Sequence, residues 1–387
     1  MFDIVQNRRI LFGPGKLEQL PSLLKGITEK PAFVLVFNER SQCAQELLSI
    51  LNRAHVPYVL DASLRGEPSI EDVDRIAARA AGCGAVVALG GGSAMDTAKA
   101  VAMLVTNGGR TEQYQMEGRT ALVPALPLIA VPTTAGTGSE ATKVSVVYNP
   151  KNHLKKSFYS PWMIAETVIL DPQMLVTLPR EKTVSTGIDA LSHAIESYVS
   201  LEATPYTEMF SLQAMRLIVK SLKICVEHPE DLAARADMML ASYFGGCALN
   251  AGIGLAHIIA QPLGGLIKIP HGVACAIYLP YAMEYNLAYS VDKYCDIARI
   301  FGASSENGVV LAEEGVRRVR DYLKILGAPE SIAPYINDDF DVDAAADTVR
   351  AATGHIKVNP RPVTLEAIRS TIVRSMGQSR SHLSPER

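Results

Sequence analysis

The sequence lacks the features that mark membrane proteins and nucleic-acid-binding proteins. No apolar run approaches the roughly 18 residues of a membrane-spanning helix, and no run of basic residues occurs. Lys and Arg number 37 against 40 Asp and Glu, a net charge of −3. We therefore expect neither nucleic acid nor a membrane as a partner. The start, Met1–Ile4, lacks the basic and apolar segments of a signal peptide, so we expect a cytoplasmic protein.

Cysteine is scarce, and the spacing of the cysteines does not suggest a disulfide framework. The six cysteines include no C-x-x-C pair, which argues against a zinc ribbon and against a redox-active motif. A disulfide-stapled secreted domain is also small and dense in cysteine, unlike this chain of 387 residues. We expect reduced thiols in a core at all six positions, which are Cys43, Cys83, Cys225, Cys247, Cys275 and Cys295.

The first part of the chain alternates buried strands with amphipathic helices. Continuous apolar runs typical of parallel strands are followed by segments with helical periodicity, a pattern that predicts a doubly wound α/β layer. We also expect an opening strand over 2–12 at an edge of the sheet. The other expected strands are Ala32–Phe37, Tyr58–Leu60, Ala85–Leu89, Leu128–Val131, Val144–Tyr148 and Thr167–Leu170.

The pattern changes near Pro179, after which almost every segment has helical periodicity. We therefore predict an α/β dinucleotide-binding domain over residues 1–178 and an all-helical domain over residues 179–387. Prolines are expected to separate the helices of the second domain. These breaks are Pro179, Pro205, Pro229, Pro262, Pro280 and Pro329.

Two loops of the first domain contain the residue types that bind a nucleotide. The run Gly90–Lys99 places a glycine turn between a strand and a helix, where free N–H groups attract a phosphate. It is not the G-x-G-x-x-G fingerprint, because Met95 occupies the third glycine position. The run Pro132–Glu140 follows the next strand and offers hydroxyls and glycines for hydrogen bonding. The alternatives are a plain strand–helix turn and a solvated loop.

The helical part contains one carboxylate and three histidines in an apolar region. Asp189 and His193 are four residues apart, so on a helix they share one face. His257 and His271 follow in segments that also have helical spacing. Any one histidine alone is more often a core or surface residue, but together these four side chains suit a divalent first-row metal. Glu196 is misplaced for the H-E-x-x-H motif of metalloproteases.

With these motifs in this order, the chain resembles the iron-containing, group III alcohol dehydrogenase family over nearly its whole length. The resemblance rests on Gly187–Glu196, on His271-Gly272-Val273 and on the late run Asn359–Pro362. It implies the dehydroquinate synthase-like fold, with an active site in a cleft between an α/β domain and an all-α metal-binding domain. It also implies one divalent metal, usually Fe(II) and in some members Zn(II). The implied metal ligands are Asp189, His193, His257 and His271.

The resemblance also implies which residues bind NAD or NADP. Gly91, Gly92 and Ser93 match the positions that hold the pyrophosphate. Further matching positions at or near the cofactor are Asp96, Thr133, Thr134, Thr142 and Lys155.

Two residues depart from the family pattern. Gln261 stands where many members have a second histidine near the substrate, and Gln does not titrate near neutral pH. Asn38 ends the strand Ala32–Phe37, where NAD-specific members often have Asp, whose carboxylate repels a 2′-phosphate. The preference between NAD and NADP therefore stays open, with NAD favoured.

The resemblance predicts reversible hydride transfer between a small primary alcohol or diol and its aldehyde, with the metal as the Lewis acid. The alternatives are a glycerol dehydrogenase, a metal-free maleylacetate reductase, a dehydroquinate-synthase-like cyclase, and a non-catalytic sensor of NAD(P) or metal. The complete Asp and His set argues against the metal-free branch, and the unbroken Gly187–Glu196 run argues against the cyclase. A homodimer or larger homo-oligomer is expected through the first strand, whose edge would otherwise be unpaired.

Overall fold

A computed structural model describes residues 2–151, 154–352 and 356–377 of the protein. Among these residues, no single helix is long and apolar enough to cross a membrane. Within the same residues, one pair of helical segments, 232–251 and 255–267, passes this length and composition test together, but it is sharply bent at the break between them.

A six-stranded parallel sheet organises the first part of the chain. From one edge to the other, its strands are β1 (Arg9–Phe12), β8 (Thr167–Leu170), β5 (Leu128–Pro132), β4 (Ala85–Gly90), β2 (Ala32–Val36) and β3 (Tyr58–Asp61). The direction in which successive strands are added reverses between β2 and β4, which makes their carboxyl ends the topological switch point where α/β sheets bind ligands.

Helices cover this sheet because their apolar faces match its buried strands. Every residue of β2, β4, β5 and β8 is buried, as expected for strands between two helical layers. Ser41 caps one covering helix, and Ser69 forms a capping box with Asp72 at the start of another. The helices are α1 (Leu20–Ile27), α2 (Gln42–Arg53), α3 (Ile70–Arg79), α4 (Gly92–Asn107) and α5 (Thr111–Met116).

A separate antiparallel hairpin lies beside α4. It consists of β6 (Val144–Asn149) and β7 (Leu154–Tyr159), in the register Val144↔Tyr159 to Asn149↔Leu154. The sequence predicted the first of these two strands.

The rest of the chain is helical. Strands are absent from residues 180–377 wherever the structure describes them. The helices are α6 (Arg180–Val199), α7 (Pro205–Glu227), α8 (Leu232–Ala248), α9 (Leu255–Ile267), α10 (His271–Asn286), α11 (Val291–Ile300), α12 (Gly308–Ile325), α13 (Val342–Ala352) and α14 (Leu365–Ser375).

The chain forms two compact units, and each of them combines two separate segments of the sequence. The first contains residues 1–179 and 227–247, and the second contains residues 180–226 and 248–387. Most of α8 joins the first unit, where the backbone of Gly246 meets that of Gly138, leaving no room for a Cβ on either residue. Tyr243 of α8 also donates a hydrogen bond to Asn7 at 2.7 Å. The domain division into 1–178 and 179–387 stays a prediction. In the compact units, residues 227–247 belong with the first part of the chain, although they lie in the predicted second domain.

Two sequence predictions about the elements were wrong. The opening strand is four residues long rather than 2–12, because β8, its one strand partner in the described part of the chain, pairs only Thr167–Leu170 with it. Pro262 and Pro280 do not separate helices but lie inside α9 and α10. Proline in a helix costs about 3 kcal/mol, and the burial of Ile258, Ile259 and Leu263 in α9 and of Ile277, Leu279 and Met283 in α10 offsets that loss.

Candidate functional site

Helix α6 presents three acidic or histidine side chains on one buried face. Asp189, His193 and Glu196 follow each other at intervals of four and three residues, and all three are buried. The pair predicted from the sequence therefore shares a face, with the Nε2 of His193 3.8 Å from the Oδ1 of Asp189.

Helices α9 and α10 bring the other two histidines to this face. His257 lies in the first turn of α9, and His271 is the first residue of α10. A Cβ on Gly272 would collide with the carbonyl oxygen of Ser185 on α6. The glycine after His271 thus permits the close approach that places its imidazole beside Asp189.

The Oδ1 of Asp189 is the centre of the group. It lies 3.4 Å from the Nε2 of His257 and 3.5 Å from the Nε2 of His271. The rings of His193 and His257 stack with their centroids 4.6 Å apart. The structure therefore brings Asp189, His257 and His271 together from three helices, and His193 lies beside them, against Asp189 and the ring of His257.

This group has the properties of a cation site. Within the described residues, the Oδ1 of Asp189 and the Nε2 of His257 are buried and make no hydrogen bond. Such groups are rare because each loses its hydration without compensation. A divalent metal would satisfy both, and one carboxylate oxygen with imidazole nitrogens is a donor set that suits Fe(II) or Zn(II). His271 is the one half-exposed member, with 33% of its side chain accessible, so the open side of the site lies there.

The electrostatics of the group favour a carboxylate over a carboxylic acid. Burial acts to raise the pKa of Asp189, but the imidazoles of His193, His271 and His257 outweigh it, and the pKa lies well below its usual range. Asp189 is therefore ionised at neutral pH and available to a cation.

Glu196 is a functional residue that the sequence reasoning missed. Its Oε2 lies 2.5 Å from the Nδ1 of His257 and accepts the N–H of His257, while its Oε1 accepts the N–H of Ala256 at 2.6 Å. This carboxylate directs the Nδ1 proton of His257 toward itself and leaves Nε2 for a metal. Its position seven residues after Asp189, on the same helix face, is the signal that could have found it.

Cys275 was also missed, because it was assigned to the core with the other cysteines. It lies one turn after His271 on α10, and its Sγ is 3.6 Å from the Nε2 of His271. One ligand atom each from Asp189, His257, His271 and Cys275 lie within 4.8 Å of one another. Burial raises the pKa of Cys275 to about 11, so the thiol is neutral when no cation is bound.

A cavity opens in the first unit at the switch point of the sheet. Its lining includes Phe37 and Asn38 after β2, Gly90 at the end of β4, and Thr133 after β5. These are the carboxyl ends of three neighbouring strands, where α/β sheets bind their ligands.

The glycine turn and the Thr-rich loop meet beside this cavity. A Cβ on Gly91 would lie 3.0 Å from the side chain of Thr134, and a Cβ on Gly92 would lie 2.9 Å from that of Thr137. Gly92 begins α4, a 16-residue helix whose first N–H groups suit a phosphate. Ser93, Thr133 and Thr134 are half-buried and so remain accessible to a ligand.

Asp96 and Thr142 serve a buried network around Lys99. The side chain of Lys99 is 1% exposed, and its ammonium group pairs with Asp96 at 3.0 Å and donates to Thr142 at 3.1 Å. Asp96 also accepts from Ser139 and from the backbone N–H of Val146. This network ties α4 to the Thr-rich loop and to β6, so these two predicted cofactor residues have structural contacts of their own.

The other predicted site residues lie in separate settings. Lys155, on β7, pairs with Glu67 at 2.6 Å. The Oδ1 of Asn38 accepts the backbone N–H of Arg40 at 3.0 Å and so shapes the loop after β2. Gln261 lies one turn after His257 on α9 and is half-buried.

Comparisons with known proteins agree over nearly the full chain. Residues 7–172 match the model of the family described as iron-containing alcohol dehydrogenase. Residues 183–376 match that of the C-terminal part of the Fe-containing alcohol dehydrogenase family.

Individual relatives cover almost the whole chain. NAD-dependent methanol dehydrogenase of Bacillus methanolicus is 32% identical over 94% of this chain and 96% of its own. Sulfoacetaldehyde reductase of Bilophila wadsworthia is 32% identical over 93% of this chain and 95% of its own. The structure of an alcohol dehydrogenase from Oenococcus oeni is 32% identical, with a TM-score of 0.92, over 97% of this chain and all of that one. The parallel sheet, the buried Asp and His group and these matches together place the chain in the iron-containing alcohol dehydrogenase family.

Proposed function

We propose that this metal-dependent alcohol–aldehyde oxidoreductase interconverts small primary alcohols or diols and their aldehydes, using NAD and one divalent metal held by Asp189, His193, His257 and His271. The observation that carries this proposal is the group around the Oδ1 of Asp189, where two buried polar atoms make no hydrogen bond within the described part of the chain. When bound, the metal supplies Lewis acidity at the substrate oxygen and NAD supplies the hydride acceptor.

The residues of the metal group have distinct tasks. Asp189 provides the negative charge, and the imidazoles provide neutral donors, so the site carries less charge than a site of carboxylates would. Glu196 holds the ring of His257 in place and sets its tautomer. His271, as the half-exposed member, borders the side from which a substrate reaches the site.

The proposed nucleotide site uses the carboxyl ends of β2, β4 and β5. Gly91, Gly92 and Ser93 bind the pyrophosphate at the start of α4, and Thr133 and Thr134 hydrogen-bond to the nucleotide from the next loop. The contact of Thr134 with Gly91 supports this, because it brings both loops to one place. Asp96, Thr142 and Lys155 support the loop and hairpin around the nucleotide.

We favour NAD as the cofactor, as for the methanol dehydrogenase relative, and Fe(II) as the metal, with Zn(II) as the alternative. Asn38 lacks the carboxylate that would repel a 2′-phosphate, so both nucleotides belong in every assay. Gln261 does not titrate, so we propose that the alcohol proton leaves through water or a ribose hydroxyl.

The test is a reconstitution assay. Chelator-treated protein receives Fe(II), Zn(II) or no metal, and oxidation of NADH and NADPH is followed with a panel of neutral aldehydes and one sulfonated aldehyde. We expect turnover of neutral aldehydes only with metal, and loss of metal and activity in Asp189→Asn. Full activity in the presence of chelator would refute the metal role, and turnover of the sulfonated aldehyde alone would refute the substrate class.

We further propose a homodimer formed through β1. This strand is at the edge of the sheet, with β8 as its one strand neighbour among the described residues. Its side chains Ile10 and Phe12 are 45% and 39% exposed, so a second copy would cover apolar surface as well as the free edge. Light scattering after size exclusion should give twice the mass of the chain, and a monomer would contradict the proposal. A cytoplasmic location stays a prediction from the sequence.

A further inference from the structure

Cys275 adds a sulfur atom to the metal group. Its side chain is fully buried on α10, and its Sγ lies within 4.8 Å of a ligand atom of each of Asp189, His257 and His271. The spacing of four residues from His271 puts both side chains on one face of the helix. The sulfur therefore lies at the site itself, whereas the other cysteines take no part in this cluster within the described residues.

The contact between Cys275 and His271 cannot survive metal binding unchanged. Their Sγ and Nε2 are 3.6 Å apart, a distance at which a thiol hydrogen-bonds weakly to an imidazole nitrogen. The Nε2 of a neutral imidazole has one lone pair, and a bound metal takes it. A metal bound at this Nε2 would therefore leave the sulfur of Cys275, which is fully buried, without its contact to the imidazole nitrogen.

The other members of the group have the properties of a cation site. The Oδ1 of Asp189 and the Nε2 of His257 are more than nine-tenths buried and make no hydrogen bond among the described residues. A ligand atom of each of these residues lies within 4.8 Å of the sulfur of Cys275, so an ion bound by the two residues would be within reach of the sulfur.

We propose that Cys275 is an additional ligand of this metal, and that its sulfur biases the site toward ions that accept thiolate, which include Fe(II), Zn(II) and Co(II). A bound metal would form an Sγ–metal bond in place of the S–H bond, and the thiol proton would pass to water. Soft thiolates bind these ions better than they bind Mg(II) or Mn(II), which prefer oxygen donors. This inference rests on the proposed metal site, but it concerns a different residue.

Cobalt substitution tests the sulfur directly. Chelator-treated protein is loaded without oxygen with one Co(II) per chain, and its visible and near-ultraviolet spectra are recorded. We expect visible bands from bound Co(II) and a near-ultraviolet band from charge transfer between thiolate and cobalt. The near-ultraviolet band should disappear in Cys275→Ser while the visible bands persist.

The matched control is Cys295→Ser. Cys295 is also buried, and its Sγ donates to the carbonyl of Gly308, a bond that a serine hydroxyl can keep. This variant should retain both sets of bands. A wild-type protein that shows visible bands without the thiolate band, or a thiolate band that persists in Cys275→Ser, would overturn the inference. Failure of the wild type to bind Co(II) at all would instead refute the proposed metal site, and the inference with it.

Metal affinity provides a second readout. In competition with a chelator, Cys275→Ser should bind Zn(II) at least about tenfold more weakly, with a smaller loss for Mn(II). Equal losses for both ions would contradict a role of the sulfur in metal preference.

Discussion

Replacing Glu196 by Gln tests how the metal group is held, because its carboxylate contacts a ligand without being one itself. Both of its oxygens are used as acceptors. Oε1 accepts the N–H of Ala256, and Oε2 accepts the N–H of His257 and lies 2.5 Å from the Nδ1 of its ring. The site is buried, so water cannot take over these bonds.

The magnitude follows from what a neutral amide can do there. Gln offers one oxygen and one NH₂ group, so at least one N–H donor of Ala256 or His257 must face another donor. An unsatisfied buried N–H lowers the free energy of unfolding by about 1–3 kcal/mol. Loss of the carboxylate that orients a ligand imidazole typically weakens metal binding about 10- to 100-fold, or ~1.4–2.7 kcal/mol.

The assay is chelator competition for Zn(II) on metal-free protein, combined with denaturant unfolding of the same preparation. Glu202→Gln is the control, since Glu202 lies just after the same helix with an exposed side chain and undergoes the same change of charge. We expect the control to match the wild type in both measurements. A folded Glu196→Gln protein with unchanged Zn(II) affinity would refute the positioning role.

Three further predictions concern the first unit. Gly92→Ala would put a methyl group 2.9 Å from Thr137 at the proposed phosphate site, so calorimetry should show NAD binding weakened about tenfold, while unchanged affinity would contradict the glycine's role. Asn38→Asp keeps the acceptor for the N–H of Arg40 but adds a negative charge that repels the 2′-phosphate of NADP. The ratio of kcat/KM for NAD to kcat/KM for NADP should therefore rise about tenfold or more. An unchanged ratio would mean that the 2′-phosphate binds away from residue 38. Burial raises the pKa of Glu140 from 4.5 to about 7, so the native state keeps a proton that the unfolded state has lost between these values. The free energy of unfolding should therefore fall by roughly 3 kcal/mol as pH rises through this window. Denaturant unfolding at pH 5 and pH 8 should show no such decrease in Glu140→Gln. The same decrease in the wild type and the variant would contradict the role of Glu140.

Local periodicity allowed much of the fold to be predicted. The buried strand Thr167–Leu170 was predicted with its observed bounds, and Ala85–Leu89 differs by one residue from the observed β4. A strand or helix of this kind depends on the spacing of apolar residues within it, which the sequence displays directly. The same reasoning placed Asp189 and His193 on one helix face.

Other features could not be predicted because they depend on burial and on competition between elements. Pro262 and Pro280 looked like helix ends, but each lies within a helix whose packing outweighs the loss of one hydrogen bond. The strand expected over 2–12 was limited by the length of its partner β8.

The sequence by itself determined the classes of element, the glycine turn, and the family motifs that contain Asp189, His193, His257 and His271. The tertiary structure alone decided that Glu196 holds His257, 61 residues away, and that the sulfur of Cys275 lies beside Asp189, His257 and His271 rather than only in the core. Such contacts need two backbones to approach closely, as at Gly272 against Ser185. Sequence spacing describes one helix face at a time, whereas the meeting of faces depends on how whole helices pack.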